Sequence, residues 1–149
     1  LEGNTLVLFN YIEKHGEPLF NLINNSILAP RKCFFVHGGT DVEDREQVRQ
    51  ITEEENNAII VASYGTFSTG INIKRLHNIV FASPSKSRIR NLQSIGRVLR
   101  RGEGKDVATL YDIADDIGGQ NYTLKHLDQR VTIYNEEQFK YEVIRISLK

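Results

Sequence analysis

Ala58-Ile59-Ile60-Val61-Ala62, running into Ser63-Tyr64 and on to Thr69-Gly70-Ile71-Asn72, decides the fold. Five apolar residues in a row, ended by hydroxyls and a glycine turn, read as a strand with both faces covered. Working outward, the same pattern recurs. Thr5–Phe9, Lys32–Val36, Asn78–Ala82 and Val107–Ile113 are further short apolar runs. Between them lie segments of helical character: Tyr11–Asn25, interrupted by Gly16 and Pro18; Asp41–Asn56, strongly charged and capped by Thr40 or Asp41; and Ser87–Arg101. Strands alternating with helices predict an α/β fold, a parallel sheet with helices on both faces. Asn121–Glu137 reads as a further helix and Tyr141–Leu148 alternates like a strand, so the tail is expected to be an appendage adding an edge strand.

In such a sheet, ligands bind beyond the carboxyl ends of the strands. The polar residues fall there. Asn10 follows the first run, His37-Gly38-Gly39 the second, Ser63 and Tyr64 the third, and Ser83-Pro84-Ser85 the fourth. Gly38-Gly39-Thr40 precedes a helix whose first amides are available to a phosphate. Ser63 and Thr69-Gly70 offer hydroxyls and amides suited to phosphate contacts that position a strand without reading its sequence. Arg45 is expected to pair with acidic neighbours along its own helix.

Gln93-Ser94-Ile95-Gly96-Arg97-Val98-Leu99-Arg100-Arg101 carries the strongest chemical signal. On a helix Gln93, Arg97 and Arg100 share one face, while Leu92, Ile95 and Leu99 form an apolar stripe. Guanidinium forks are planar, permanently charged and bidentate, so two on one rigid helix suit the γ-phosphate of a nucleotide. Gly96 argues against an ordinary solvated helix, since an interior glycine costs about 1 kcal/mol.

The chain has 149 residues, 40% hydrophobic and 26% charged, as expected of one globular domain with a core. Net charge is zero but unevenly placed. Lys74, Arg75, Lys86, Arg88, Arg90, Arg97, Arg100, Arg101 and Lys105 face a single acid, Glu103, over residues 74–105, whereas Glu43–Glu55 and Asp112–Asp116 are acidic. One anion-facing surface on an acidic body is implied. Cys33 is the lone cysteine, and the four histidines lack zinc-ligand spacing, so no metal site is expected. No apolar run is long enough for a membrane span, no signal peptide is visible, and an intracellular setting is expected. Gly102-Glu103-Gly104-Lys105 lacks the phosphate-loop frame because Asp106 follows the lysine. Leu1 stands where an initiator Met would, and a longer parent chain is expected.

Taken in order, these segments resemble the second, C-terminal RecA-like domain of superfamily 2 helicases. Thr5–Asn10 is similar to motif IV, Phe34–Arg45 to motif IVa, Ile59–Ile73 to motif V, Asn78–Ser85 to motif Va and Gln93–Arg100 to motif VI, whose pattern is Gln/His-x-x-Gly-Arg-x-x-Arg. The tail, with His126, Arg130, Tyr134 and Phe139, is similar to that of phage UvsW-type recombination DNA helicases. The resemblance implies a RecA-like domain over residues 1–114 and an extension over 115–149. It implies that Arg97 and Arg100 are arginine fingers, and that Gln93, Gly70 and Asn72 lie near the nucleotide. Asn10, His37, Gly38, Gly39, Ser63, Thr69 and Ser83 would lie near the nucleic-acid backbone. ATP and Mg2+ would be held mainly by an N-terminal RecA-like domain, since the Walker A lysine and Walker B acids are missing here. The isolated chain is therefore expected not to hydrolyse ATP. The partner would be branched or recombining DNA, or an RNA–DNA hybrid, in the host cytoplasm if phage-encoded. Tyr64 and Val42 depart from the DEAD-box RNA helicase pattern, Ser94 stands where many relatives carry an additional arginine, and these departures favour a DNA translocase. The other readings are a non-catalytic nucleic-acid-binding module, the motor half of an RNA helicase, and a restriction translocase.

Overall fold

The computed structural model describes residues 1–27, 31–68, 76–82, 108–115, 122–136 and 138–147. Five strands form one sheet: β1 (Thr5–Phe9), β2 (Cys33–Val36), β3 (Ile59–Ser63), β4 (Asn78–Phe81) and β5 (Thr109–Asp112). Their order is β2-β3-β1-β4-β5, and every pairing is parallel. The five strands expected before the tail all form, each within a residue or two of its predicted ends.

Strand alternation divides the core. Leu6, Leu8, Ile60 and Ala62 point to one face, with Val36, Ile79 and Phe81. Val7, Phe9, Ile59 and Val61 point to the other. The inner strands β1 and β3 bury both faces, which is why their sequences are continuous apolar runs, whereas the edge strand β5 alternates exposed and half-buried residues.

Helix placement follows from the strand order. From β1 the chain moves outward past β3 to β2, then returns to β3. Right-handed crossovers made in opposite directions put their helices on opposite faces. Accordingly α1 (Glu17–Ser26) packs Leu19, Phe20 and Ile23 against the Val7/Phe9 face. The next helix, α2 (Val42–Glu54), packs Val48 against the Leu6/Leu8 face. Its remaining surface is charged, with Arg49 paired to both Glu46 and Glu53. A short α3 (Tyr64–Ser68) follows β3 directly. The tail helix α4 (Tyr122–Glu136) lies on the α2 face, where Tyr134, Val131 and Ile133 join the core with Phe139 beyond the helix.

Three expectations are corrected. The helix over 11–25 is two pieces: a π-helical turn, Ile12–Gly16, leads into α1, with Pro18 in the first α turn where it lacks no needed donor. The edge strand over 141–148 does not form in its described part, 141–147. Tyr141, Val143, Ile144 and Ile146 have no partner strand among the described residues and stay exposed, and the adjacent Val143 and Ile144 break the alternation. Period-two spacing permits a strand, and only a hydrogen-bonded neighbour makes one. Finally, Arg45 makes no ion pair among the described residues, and its Nε is buried without a partner. Arg49, one turn on, takes the intrahelical pairing instead.

The end of the sheet where the strands begin is closed by polar side chains. Asn4 is wholly buried. Its Nδ2 donates to the carbonyls of Thr52 and Glu55, and its Oδ1 accepts from the Ala58 amide, so one side chain ties off α2 and starts β3. Arg31 spreads its guanidinium over the carbonyls of Asn57, Leu1 and Gly3.

Candidate nucleic-acid interface

The opposite end of the sheet carries the predicted polar residues. Phe9 of β1 is in register with Ser63 of β3, and Val36 of β2 with Ala62. Asn10, Ser63 and His37 therefore leave three neighbouring strands at nearly one level. At about 4.8 Å per strand spacing they span roughly 10 Å. The chain leaves β1 toward one face of the sheet and β3 toward the other. That makes the β1/β3 boundary a topological switch point, the place where open α/β sheets bind ligands.

The turn after β2 is held by its own polar groups. The His37 amide donates to Thr40 Oγ1 and the Thr40 amide returns a bond to the His37 carbonyl, both at 3.0 Å. The Gly39 amide donates to His37 Nδ1, also at 3.0 Å. A neutral imidazole accepting at Nδ1 carries its proton on Nε2 and presents a donor there. Gly39 is needed for this packing, since a Cβ would stand 2.9 Å from the imidazole, whereas Gly38 has open space around it. Thr40 is thus not the cap of α2. Asp41 holds that position without a side-chain bond to the helix, and Glu43 and Asp44 fill the first turn. Three carboxylates suit the helix dipole but repel phosphate, so the α2 terminus is ill-suited to an anion.

Ser63 ends β3 and starts α3. Its Oγ lies 2.7 Å from Thr66 Oγ1 and accepts from the Thr66 amide at 3.4 Å, the arrangement of an N-cap. Tyr64 turns inward, 2% exposed, with its ring edge-on to Phe81. Its departure from the DEAD-box pattern is therefore a core residue here. Thr69, Gly70, Asn72, Ser83, Gln93, Arg97 and Arg100 lie outside the described residues.

Sequence reasoning missed the clasp at the end of β5. Arg130 donates from Nε and Nη2 to the two carboxylate oxygens of Asp112, at 2.6 and 2.8 Å. The Tyr134 hydroxyl donates to Asp112 Oδ2 at 2.6 Å. Arg130 is 2% exposed, and its Nη1 has no partner. Burial, and then the Asp112 charge, push the Tyr134 phenol well above its ordinary range. The available signal was an arginine and a tyrosine at i and i+4 in a tail helix, following a strand that ends in aspartate. Among the described residues no group of three His, Cys, Asp or Glu side chains gathers to hold a metal, and no helix is long and apolar enough to cross a membrane.

Residues 1–102 match the family model of the helicase conserved C-terminal domain. The chain belongs to that family. It is 39% identical over 160 residues to the ATP-dependent DNA helicase uvsW of Enterobacteria phage T4, a match covering 99% of this chain and 31% of that protein. The crystal structure of T4 UvsW superposes with a TM-score of 0.70 at 39% identity, over 91% of this chain and 29% of that one. The C-terminal part of the Fun30 ATPase domain superposes with a TM-score of 0.54 at 18% identity, over 93% and 49%, a likeness of fold alone. The chain is thus a helicase C-terminal domain of UvsW-like kind with a RecA-like parallel sheet, and it spans about a third of the length of its curated relative.

Proposed function

We propose that this chain is the C-terminal motor domain of an ATP-dependent DNA helicase that remodels branched or recombining DNA. One observation carries the reading. Asn10, Ser63 and the His37–Thr40 turn line up along a single sheet edge at a switch point, in a chain that carries the Gln93/Arg97/Arg100 pattern of motif VI. Residues 1–114 form the motor fold, and residues 115–149 an extension held to it.

The edge supplies donors, namely hydroxyls and the Nε2–H of His37, that grip backbone phosphates without reading bases. Thr69 and Ser83 extend that grip. Gln93, Gly70 and Asn72 face the nucleotide. Arg97 and Arg100 reach the γ-phosphate of ATP, whose Mg2+ and remaining phosphates are held by an N-terminal RecA-like domain. When bound, ATP draws the two domains together, and the guanidiniums stabilise charge that develops as the γ-phosphoryl group leaves. Release after hydrolysis separates the domains, and alternating grip advances the strand. Lacking a phosphate loop, this chain by itself does not turn over ATP.

The test is DNA-stimulated ATP hydrolysis by the full-length protein, with and without Arg97→Ala. Loss of about a thousandfold or more in kcat, with ATP binding kept, is expected of an arginine finger. Unchanged turnover would sink the motif VI assignment and leave a passive nucleic-acid clamp.

A further inference from the structure

β1, the central strand, does not lead into an ordinary helix. The Tyr11 carbonyl accepts from both the His15 amide (2.9 Å) and the Gly16 amide (3.0 Å), and the second bond closes a π-helical turn. Such turns are rare and recur at functional sites. This one is anchored from below. Gly16 lies directly over the Phe9 ring, where a Cβ would stand 2.5 Å from the ring carbons. Phe9 in turn stacks on Phe35, and Ile12 packs into the same cluster. The turn is thus fixed rigidly to the end of the central strand.

What the turn displays is an aromatic pair. Tyr11, at its mouth, has extended backbone and a side chain that leaves the residue 62% exposed. The His15 ring lies 5.4 Å from it, tilted by 60°. An exposed tyrosine adds little to core stability, yet this one is held in place beside Asn10, one strand from Ser63. The turn has no excess of positive charge for a phosphate, because Glu13 and Glu17 flank Lys14. It offers π surface instead.

We infer that Tyr11, backed by His15, is a stacking platform for an unpaired base of single-stranded nucleic acid whose phosphates run past Asn10 and Ser63. The inference rests on the nucleic-acid reading of this edge. Every base has a π face, so the platform tolerates any sequence, and loss of one stacked base weakens binding roughly tenfold to a hundredfold. In a duplex that face is covered by its neighbours, so the platform favours single strands.

The experiment compares the full-length protein with its Tyr11→Ala, Tyr11→Phe and Tyr11→Trp variants. Binding is measured to a single-stranded oligonucleotide, to an abasic oligonucleotide of equal length, and to a duplex, across a salt series. Tyr11→Ala is expected to lose roughly tenfold to a hundredfold on the single strand only, with its salt slope unchanged, because stacking releases no counterions. Tyr11→Phe keeps the affinity, and Tyr11→Trp gains a fluorescence signal quenched by the single strand and not by the abasic one. Equal loss on the abasic strand would make Tyr11 a phosphate or structural residue and overturn the platform, as would no loss on any substrate. If the unsubstituted protein binds none of the three, the nucleic-acid reading falls with it. If it binds them and Tyr11→Ala is neutral, only the platform falls.

Discussion

Two asparagines bracket β1. Asn4 precedes it, has no exposure, and commits its amide to three backbone partners from α2 and the start of β3. Asn10 follows it and sits half-exposed on the open edge beside Ser63. The same residue type serves opposite ends of one strand for opposite reasons. At the closed end a polar group is tolerated because backbone groups satisfy it, and it makes three segments mutually dependent. At the open end the polar groups are arranged in short local turns, such as His37–Thr40 and Ser63–Thr66. Side chains at the closed end bond across the sequence, whereas those at the open end bond within a turn.

The Asp112–Arg130–Tyr134 clasp breaks that division, and testing it has the largest expected effect. It lies at the open edge yet is buried, so burial rather than position should govern its energy. Arg130→Met leaves the Asp112 carboxylate without its guanidinium and should cost about 3–5 kcal/mol. Urea unfolding would measure it, and a cost under about 1 kcal/mol would mean that the clasp is solvated in solution.

Next comes the asparagine pair itself. Asn4→Ala strands the Ala58 amide and the carbonyls of Thr52 and Glu55 and should cost at least about 3 kcal/mol, since each orphaned buried group costs about 1–3 kcal/mol. Asn10→Ala should cost markedly less in the same unfolding experiment while weakening DNA binding by the full-length protein. Equal losses of stability would erase the contrast between the two ends.

The smallest effect concerns Cys33, which opens β2 at the closed end as His37 follows it at the open one. Burial pushes the Cys33 thiol up to about 11, against the lowering influence of Arg31. The folded state then holds the thiol proton more tightly than the unfolded chain, whose thiol titrates near its ordinary value of 9.0. Stability from this group is full below about pH 9 and falls as pH rises toward 11. The Tyr134 phenol, also pushed upward, acts in the same direction at higher pH. Unfolding midpoints at pH 7, 9 and 10.5 should show the decline, and Cys33→Ala should flatten its first part. A decline that begins below pH 8 would implicate another group.

Local pattern alone was enough to recognise the strands, their parallel arrangement and the placing of Asn10, His37 and Ser63 after strand ends. Burial on both faces leaves continuous apolar runs such as Ile59–Ser63, and turn chemistry marks where they stop. These are relations between residues a few positions apart. Tertiary structure alone decided that β1 is central, so that Phe9 meets Ser63 across 54 residues of chain. It decided that Arg130 and Tyr134 reach Asp112 across 18 and 22 residues. It also left the stretch at 141–147 without a strand partner among the described residues, and used Gly16 to seat a π-helical turn on the Phe9 ring. Periodicity states which face a residue offers. Which neighbour accepts that face depends on the packing of the whole chain, and no local spacing encodes it.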